Sequence, residues 1–222
     1  MKIKTIAIST SVFVMLGGVI GVQQYISSQI TSKVAREMPN ASGISASVPW
    51  ADVPSNLTSD SIKSADINIK SFALKESGTK TSLDISATSI SKAKPTLVGS
   101  LEVTATIPAS TITKQSEFNN AQIVGNTLQV SAGAGGMGTA LLIPKYSNSQ
   151  LYFELQSVSI FGNQIPASSL PADLQNQIKS RSQRSLTPPK GLKVKSVSLS
   201  SKGLSVRMSG NNIQLGNLGS GL

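Results

Sequence analysis

Near the start of the chain, apolar residues recur at every fourth position. Residues 23–38 place Ile26, Ile30 and Val34 on one narrow face of a predicted helix, which Pro39 ends. This stripe fits a helix that packs on a core. It fits equally well a stalk that continues a membrane anchor.

The period then changes from four residues to two. Apolar positions alternate with polar ones between segments rich in Gly, Ser, Asn and Pro, a pattern typical of half-buried antiparallel strands. The phase reverses between Ile69 and Phe72, which predicts a β-bulge. The apolar strand positions are Ile44, Ala46, Val48, Ile67, Ile69, Phe72, Leu74, Leu83, Ile85, Ala87, Leu101, Val103, Ala105, Ile107, Leu128, Val130, the run 140–143, Leu151, Phe153 and Leu155.

A second helix is predicted over residues 168–186. Ser169 can cap its start, and Pro171 lies in its first turn. Its apolar stripe consists of Leu170, Leu174 and Ile178. Three cations lie in its last half, where they suit the helix dipole: Lys179, Arg181 and Arg184.

The C-terminal part predicts a basic β-hairpin with one apolar side. Its first strand combines Leu192 and Val194 with three lysines, Lys190, Lys193 and Lys195. A turn at 200–203 leads to a strand with Leu204, Val206 and Met208. A last strand at 213–215 and a flexible tail at 216–222 follow. The whole order of elements predicts one α+β domain of long antiparallel strands over residues 23–215.

Composition removes several kinds of chemistry. The 222-residue chain has no cysteine and no histidine. Disulfides, thiolate or imidazole metal sites, and Ser-His-Asp or Cys-His nucleophile systems therefore cannot be built. We expect no metal and no cofactor.

The remaining enzymatic alternatives have weak support in the sequence. Glycines at 133, 135 and 138 match G-x-G-x-x-G, but a short segment closed by Pro144 follows instead of a helix. The acidic residues are scattered, and Asp52, Asp60 and Asp66 lack metal-loop spacing. We expect a protein that is not an enzyme, although a carboxylate pair assembled from distant residues stays open.

Charge is concentrated at the C-terminal end. The chain has 20 basic and 10 acidic residues, and after Glu154 the sequence has eight basic residues against one acidic residue, Asp173. Such an excess favours polyanions or an anionic membrane surface. A merely solvated basic face is the alternative.

The first 22 residues resemble a secretory segment. Lys2 and Lys4 precede an uncharged run over residues 5–22, which as a helix would span roughly 27 Å, close to the thickness of a bilayer core. It predicts either a cleaved signal peptide or an uncleaved anchor. Both place the protein outside the cytoplasm, secreted or anchored to the cell membrane, which counts against nucleic acid as a partner.

Across most of its length the sequence resembles the LmeA-like phospholipid-binding family of actinobacteria, which was formerly listed as a domain of unknown function. The resemblance covers most of residues 23–215. Its most specific pieces are "TATIPASTI" at 104–112, the "LP" that opens the second helix, and the closing pattern P-x-G-L-x-V-x-S-V-x-L over 189–199. These motifs are structural rather than catalytic.

The resemblance implies a long curved antiparallel sheet wrapped around one or two helices, similar to tubular lipid-binding domains. It also implies binding or transfer of anionic phospholipid in the cell envelope, in support of mannan or lipoglycan maturation. It specifies no catalytic residue, no lipid identity and no oligomeric state.

Two sets of residues are then candidates for a lipid site. The expected lipid-tail groove consists of Ile26, Ile30, Val34, Trp50, Leu174, Ile178, Leu192 and Val194. The expected anionic-headgroup surface consists of Lys179, Arg181, Arg184, Lys190, Lys193 and Lys195. Trp50 fits a core plug as well as a wedge at a membrane-facing rim. An envelope scaffold that binds partner proteins or anionic wall polymers through the basic end is the alternative function.

Overall fold

The structure is a computed structural model. It describes residues 6–7, 31–32, 35, 41–49, 52, 59–73, 80–93, 97–115, 118, 120–132 and 138–214. Most of these residues form antiparallel strands, and the described α-helices include α1 (Ala109–Gln115) and α2 (Ala172–Ser182). The predicted sheet-dominated α+β class is confirmed at this level.

The described strands form two sheets. Their bounds are β1 Ile6–Ala7, β2 Ala41–Ser47, β3 Ser61–Ala73, β4 Lys80–Ser91, β5 Leu97–Pro108, β6 Gln122–Val124, β7 Thr127–Ala132, β8 Gly138–Ser147, β9 Gln150–Ile160, β10 Asn163–Pro166, β11 Arg184–Thr187, β12 Lys193–Ser200 and β13 Gly203–Gln214. A seven-stranded sheet has the order β1-β11-β9-β8-β7-β6, with β10 also paired to β9. A six-stranded sheet has the order β12-β13-β5-β4-β3-β2.

The resemblance implied a single sheet, whereas the described strands form two. The chain leaves the first sheet after β5. At Pro108 it passes into α1 instead of a hairpin, and β6 then starts a new set of antiparallel pairings. The chain also divides into two compact units. The first is formed chiefly by Thr106–Thr187 and Ser196–Val206, and the second by the described residues within Ala7–Ala105, Pro188–Lys195 and Arg207–Leu222.

The core of the first unit follows from strand register. Leu142 on β8 faces Leu128 on β7 and Leu155 on β9, so three leucines form a row across the sheet. Because side chains alternate along a strand, the next row on this face lies two residues further on in β7 and β8, and three residues further on in β9, where the register shifts next to Leu142. All three leucines are buried, as are the residues of the next row, Val130, Ala140 and Val158.

The second unit is built by the same alternation. Ile69 on β3 lies between Ile44 on β2 and Leu83 on β4. The register of β3 and β4 shifts between Ile69 and Phe72, where the sequence predicted a bulge, so this prediction is confirmed. Ile69 and Leu83 are fully buried, whereas Ile44 on the end strand β2 is half-buried.

Two predicted elements have different bounds in the structure. The second helix is α2, which is shorter than 168–186 because Gln183 adopts an extended conformation and Arg184 begins β11 opposite Leu151. Ser169 does not cap α2, since it lies in a separate 3-10 turn at Ala167–Ser169. The last strand at 213–215 is not separate, because β13 continues through Ile213.

Several predictions fall outside the described residues. These include the stripe residues Ile26, Ile30 and Val34, the tryptophan Trp50, and the tail at 216–222. Within the predicted first helix, Thr31, Ser32 and Ala35 are described and are helical. Within the predicted secretory segment, Ile6 and Ala7 are described and form β1.

Candidate functional site

Helix α2 lies along a gap at the outer edge of β9. On that side β9 pairs with β11 at Gln150 and Leu151, and with β10 over residues 157–160. Between these pairings the Phe153 amide N–H donates a hydrogen bond to Ser182 Oγ at 2.9 Å, at the last residue of α2. The helix therefore provides the hydrogen bond that a strand would otherwise give.

The start of α2 is attached by a second polar contact. Gln175 Nε2 donates hydrogen bonds to the carbonyl oxygens of Ala167 at 2.8 Å and Leu170 at 3.2 Å. These carbonyls belong to the 3-10 turn and to the residue that follows it. Side-chain hydrogen bonds thus fix both ends of a helix that buries none of its residues.

The basic side chains of α2 have different surroundings. Lys179 Nζ lies 4.5 Å from the centre of the Tyr152 ring, a cation–π contact. Arg184 follows the helix, and its Nη1 donates to the carbonyl oxygens of Arg181 at 3.0 Å and Gln183 at 2.8 Å. Arg184 therefore caps the C-terminal end of α2, where a cation is favoured. Arg181 is exposed.

The second basic cluster belongs to the other unit. Lys190, Lys193 and Lys195 are exposed, and the last two lie on β12 at the end of the six-stranded order. Lysines on an edge strand also prevent unwanted strand pairing, which gives them a structural role without any ligand. The predicted headgroup residues thus form two groups, one in each unit.

The predicted tail-groove residues that are described have unequal exposure. Leu174 on α2 is 39% exposed, whereas Ile178 is half-buried. Leu192 is buried, and a Cβ added to Gly210 would lie 3.1 Å from its Cδ2, so Leu192 packs within the second unit. Val194 is half-buried.

Most of the predicted cations form no ion pair with a carboxylate that the structure describes. Among the residues that the structure describes, no carboxylate forms an ion pair with Lys179, Arg181, Lys190, Lys193 or Lys195. Arg207 differs, since its Nη2 lies 2.7 Å from Glu102, whose hydrogen bond and charge raise the pKa of Arg207. All five of these residues are exposed, so an anionic ligand can reach them from solvent.

A depression of about 310 Å³ lies on β2, β3 and β4, and its lining includes the carboxylates of Asp66 and Asp84. Asp66 accepts a hydrogen bond from Ser86 Oγ at 2.5 Å, and Asp84 accepts one from the Asn68 side chain. Both carboxylates already have neutral partners, and no cluster of three acidic residues occurs among the described residues. A lining that contains two carboxylates does not suit a fatty acyl chain.

Sequence reasoning missed three contributors to these surfaces. Tyr152 and Ser182 become important only because α2 lies along β9. The sequence indicates that Asp66 and Ser86 lie on the polar faces of their strands, since both occupy polar positions in an alternating pattern. Their register, however, depends on the length of the β3–β4 connection.

No protein-family model, curated protein or solved structure matches the chain. The resemblance to the LmeA-like family therefore depends on the quoted motifs alone. In the part of the chain that the structure describes, no helix has both the length and the apolar character needed to cross a bilayer.

Proposed function

We propose that this protein binds anionic phospholipid in the bacterial cell envelope and performs no catalysis. The observation that carries the proposal is the group of exposed lysines and arginines without carboxylate partners among the described residues, on α2 and around β12. A phosphate group can accept several charge-assisted hydrogen bonds from such side chains. The envelope location rests on the secretory pattern of residues 1–22.

Within this proposal, Lys179 and Arg181 contact the phosphate. Lys179 is positioned by the Tyr152 ring, and the dipole of α2 favours cations at this end of the helix. Arg184 instead stabilises the helix terminus, because its guanidinium bonds to two backbone carbonyls there. This assignment separates a binding role from a structural role within one basic segment.

The acyl chains require a dry surface. Each methylene removed from water contributes about 0.8 kcal/mol, so a sixteen-carbon chain represents roughly 12 kcal/mol. We propose that a curved sheet and a helix stripe enclose this chain, as in tubular lipid-binding domains. Among the described members of the predicted groove, Leu174, which is 39% exposed, and the half-buried Ile178 are best suited to contact it.

Vesicle co-sedimentation of the full chain tests the proposal. We expect binding to phosphatidylglycerol vesicles at low salt and much weaker binding to phosphatidylcholine vesicles. Because exposed charges are screened over about 10 Å at 0.1 M salt, raising the salt concentration should weaken the anionic binding strongly. Equal binding to both lipids at every salt concentration would contradict a role for the cations.

One observation favours a second candidate function, an envelope scaffold. Large apolar side chains in both units are fully closed to water, with Ile69, Leu101, Leu128, Leu142 and Met208 at 0% exposure. A filled core leaves no room for a lipid beside these residues and suits a protein that binds partners or anionic wall polymers through its surface. Binding to wall teichoic acid without capture of lipid would support this alternative.

A further inference from the structure

The most exposed large apolar side chain among the described residues belongs to Phe161. It is 78% exposed, and the preceding Ile160 is 39% exposed. Both lie where β9 turns into β10, next to Gly162. This tip belongs entirely to the first unit.

The backbone at this tip makes phenylalanine a costly choice. Phe161 has φ 49° and Gly162 has φ 82°, so both central residues of the two-residue turn are left-handed. Such turns favour Asn, Asp and Gly, and a bulky side chain there has an energetic cost. The comparable turn at the other end of β9 has small polar residues instead, Asn148 at φ 51° and Ser149 at φ 58°. Folding alone therefore does not explain Phe161.

The strand ends next to the tip carry no charged residue. Ile160 pairs with Gly138 on β8 and Asn163 on β10. In the sequence, no charged residue occurs in 118–144 or in 155–172, which include β10 and the ends of β8 and β9 next to the tip. A charge-free end with a protruding aromatic ring suits the interfacial layer of a lipid bilayer.

The size of the apolar tip also points to a bilayer rather than to a protein. A stable protein interface buries roughly 800 Å² on each partner, whereas one phenylalanine contributes at most about 250 Å². A single aromatic side chain can still add measurable affinity by entering a membrane. Residues 5–22, an uncharged run behind two lysines, are predicted to direct the chain into or across a membrane whether or not they are cleaved, which brings the tip to a bilayer.

We propose that the β9–β10 turn, with Phe161 at its tip, inserts into the interfacial layer of a phospholipid bilayer. This goes beyond the proposed function, because it assigns an uncharged membrane contact that is separate from the basic residues. It shares with that function only the location at a membrane. The contribution of Phe161 should not depend on salt, whereas that of Lys179 and Arg181 should.

Site-specific fluorescence tests the insertion. Because the chain has no native cysteine, Phe161→Cys and Asn148→Cys can each carry one environment-sensitive label. The two sites lie at opposite ends of β9, so Asn148→Cys is a matched control. With vesicles of phosphatidylcholine and phosphatidylglycerol, the label at 161 should shift to the blue and brighten, and the label at 148 should not. No response at 161 while the protein sediments with vesicles would overturn the inference and leave the proposed function intact.

A second variant separates binding from folding. Asn is favoured at a left-handed turn position, so Phe161→Asn should keep or raise the melting temperature. Its affinity for the same vesicles should fall about five- to tenfold at both low and high salt. Unchanged affinity would overturn the inference. Conversion of a dimer into a monomer by Phe161→Asn, without a change in vesicle affinity, would show that a second copy covers the tip instead.

Discussion

Ser182 at the end of α2 accepts a hydrogen bond from the backbone N–H of Phe153 on β9 at 2.9 Å. The same hydroxyl lies 2.9 Å from the carbonyl oxygen of Ile178, to which it can donate its single proton. One side chain therefore closes the helix and satisfies a strand edge that neither β10 nor β11 covers.

Ser182→Ala should destabilise this junction. It leaves the Phe153 N–H without its partner, which costs about 1–2 kcal/mol. Hydrogen exchange should become faster at Phe153 and in the last turn of α2, and chemical denaturation should show the loss of stability. Ser180→Ala is the control, because Ser180 is exposed and its hydroxyl bonds only within the helix, to Gln177. Equal effects of the two substitutions would show that Ser182 does not attach the helix.

Gly203 cannot accept a side chain without rearrangement. Its φ is 134°, and a Cβ at this position would lie 1.9 Å from the carbonyl oxygen of Ile107. Gly203→Ala should therefore destabilise the protein by about 2–4 kcal/mol, measured by urea unfolding.

Gly125→Ala provides the control for this substitution. Gly125 also has a positive φ, 61°, but nothing lies within 4 Å of an added Cβ. Its replacement should lower the free energy of unfolding by only about 1 kcal/mol, the cost of placing alanine in a left-handed backbone conformation. If both alanines cost the same, the close approach between Gly203 and Ile107 does not exist in solution.

Thr81 carries a buried hydroxyl without a hydrogen-bond partner among the described residues. Thr81→Val removes this hydroxyl at nearly constant volume and should stabilise the protein by about 1 kcal/mol. Thr81→Ser is the control, since it keeps the hydroxyl and loses a methyl group, and it should destabilise. A lower melting temperature for Thr81→Val would reveal a hydrogen bond to this hydroxyl.

Charge reversal on α2 tests the headgroup assignment. The double variant Lys179→Glu, Arg181→Glu should weaken binding to phosphatidylglycerol vesicles at least tenfold at low salt, and the difference should shrink as salt is added. Lys114→Glu, on α1 of the same unit, is the control for a single charge reversal. Its effect is compared with those of the single variants Lys179→Glu and Arg181→Glu. If Lys114→Glu weakens binding as much as either of them, net charge rather than the α2 surface controls binding.

Strand patterning was the most predictable part of the fold. Apolar alternation predicted β3 and β4 and also the bulge between Ile69 and Phe72. Apolar residues on both sides of a change in the alternation can face the same core only if the strand has an extra residue there. Helix α1 was not predicted. It is short and contains the β-branched residues Thr111, Ile112 and Thr113, which match a strand as well as a helix.

Only the basic charges of the candidate site were predictable from the sequence, and not the contacts of the side chains that carry them. Basic residues at 179, 181 and 184 were evident from the sequence, but their roles differ because of contacts made in the folded chain. Arg184 was predicted to lie on the helix and instead starts β11 and caps the helix end. The Tyr152 ring under Lys179 depends on the packing of α2 against β9, which no local pattern encodes.

Capture of a single lipid molecule is the most direct test of the proposed function. The delipidated full chain would be incubated with phosphatidylglycerol or phosphatidylcholine and measured by native mass spectrometry under gentle conditions. We predict a species with one bound phosphatidylglycerol, present at low activation energy and much less abundant with phosphatidylcholine. Spectra that show only lipid-free protein with both lipids would contradict the account.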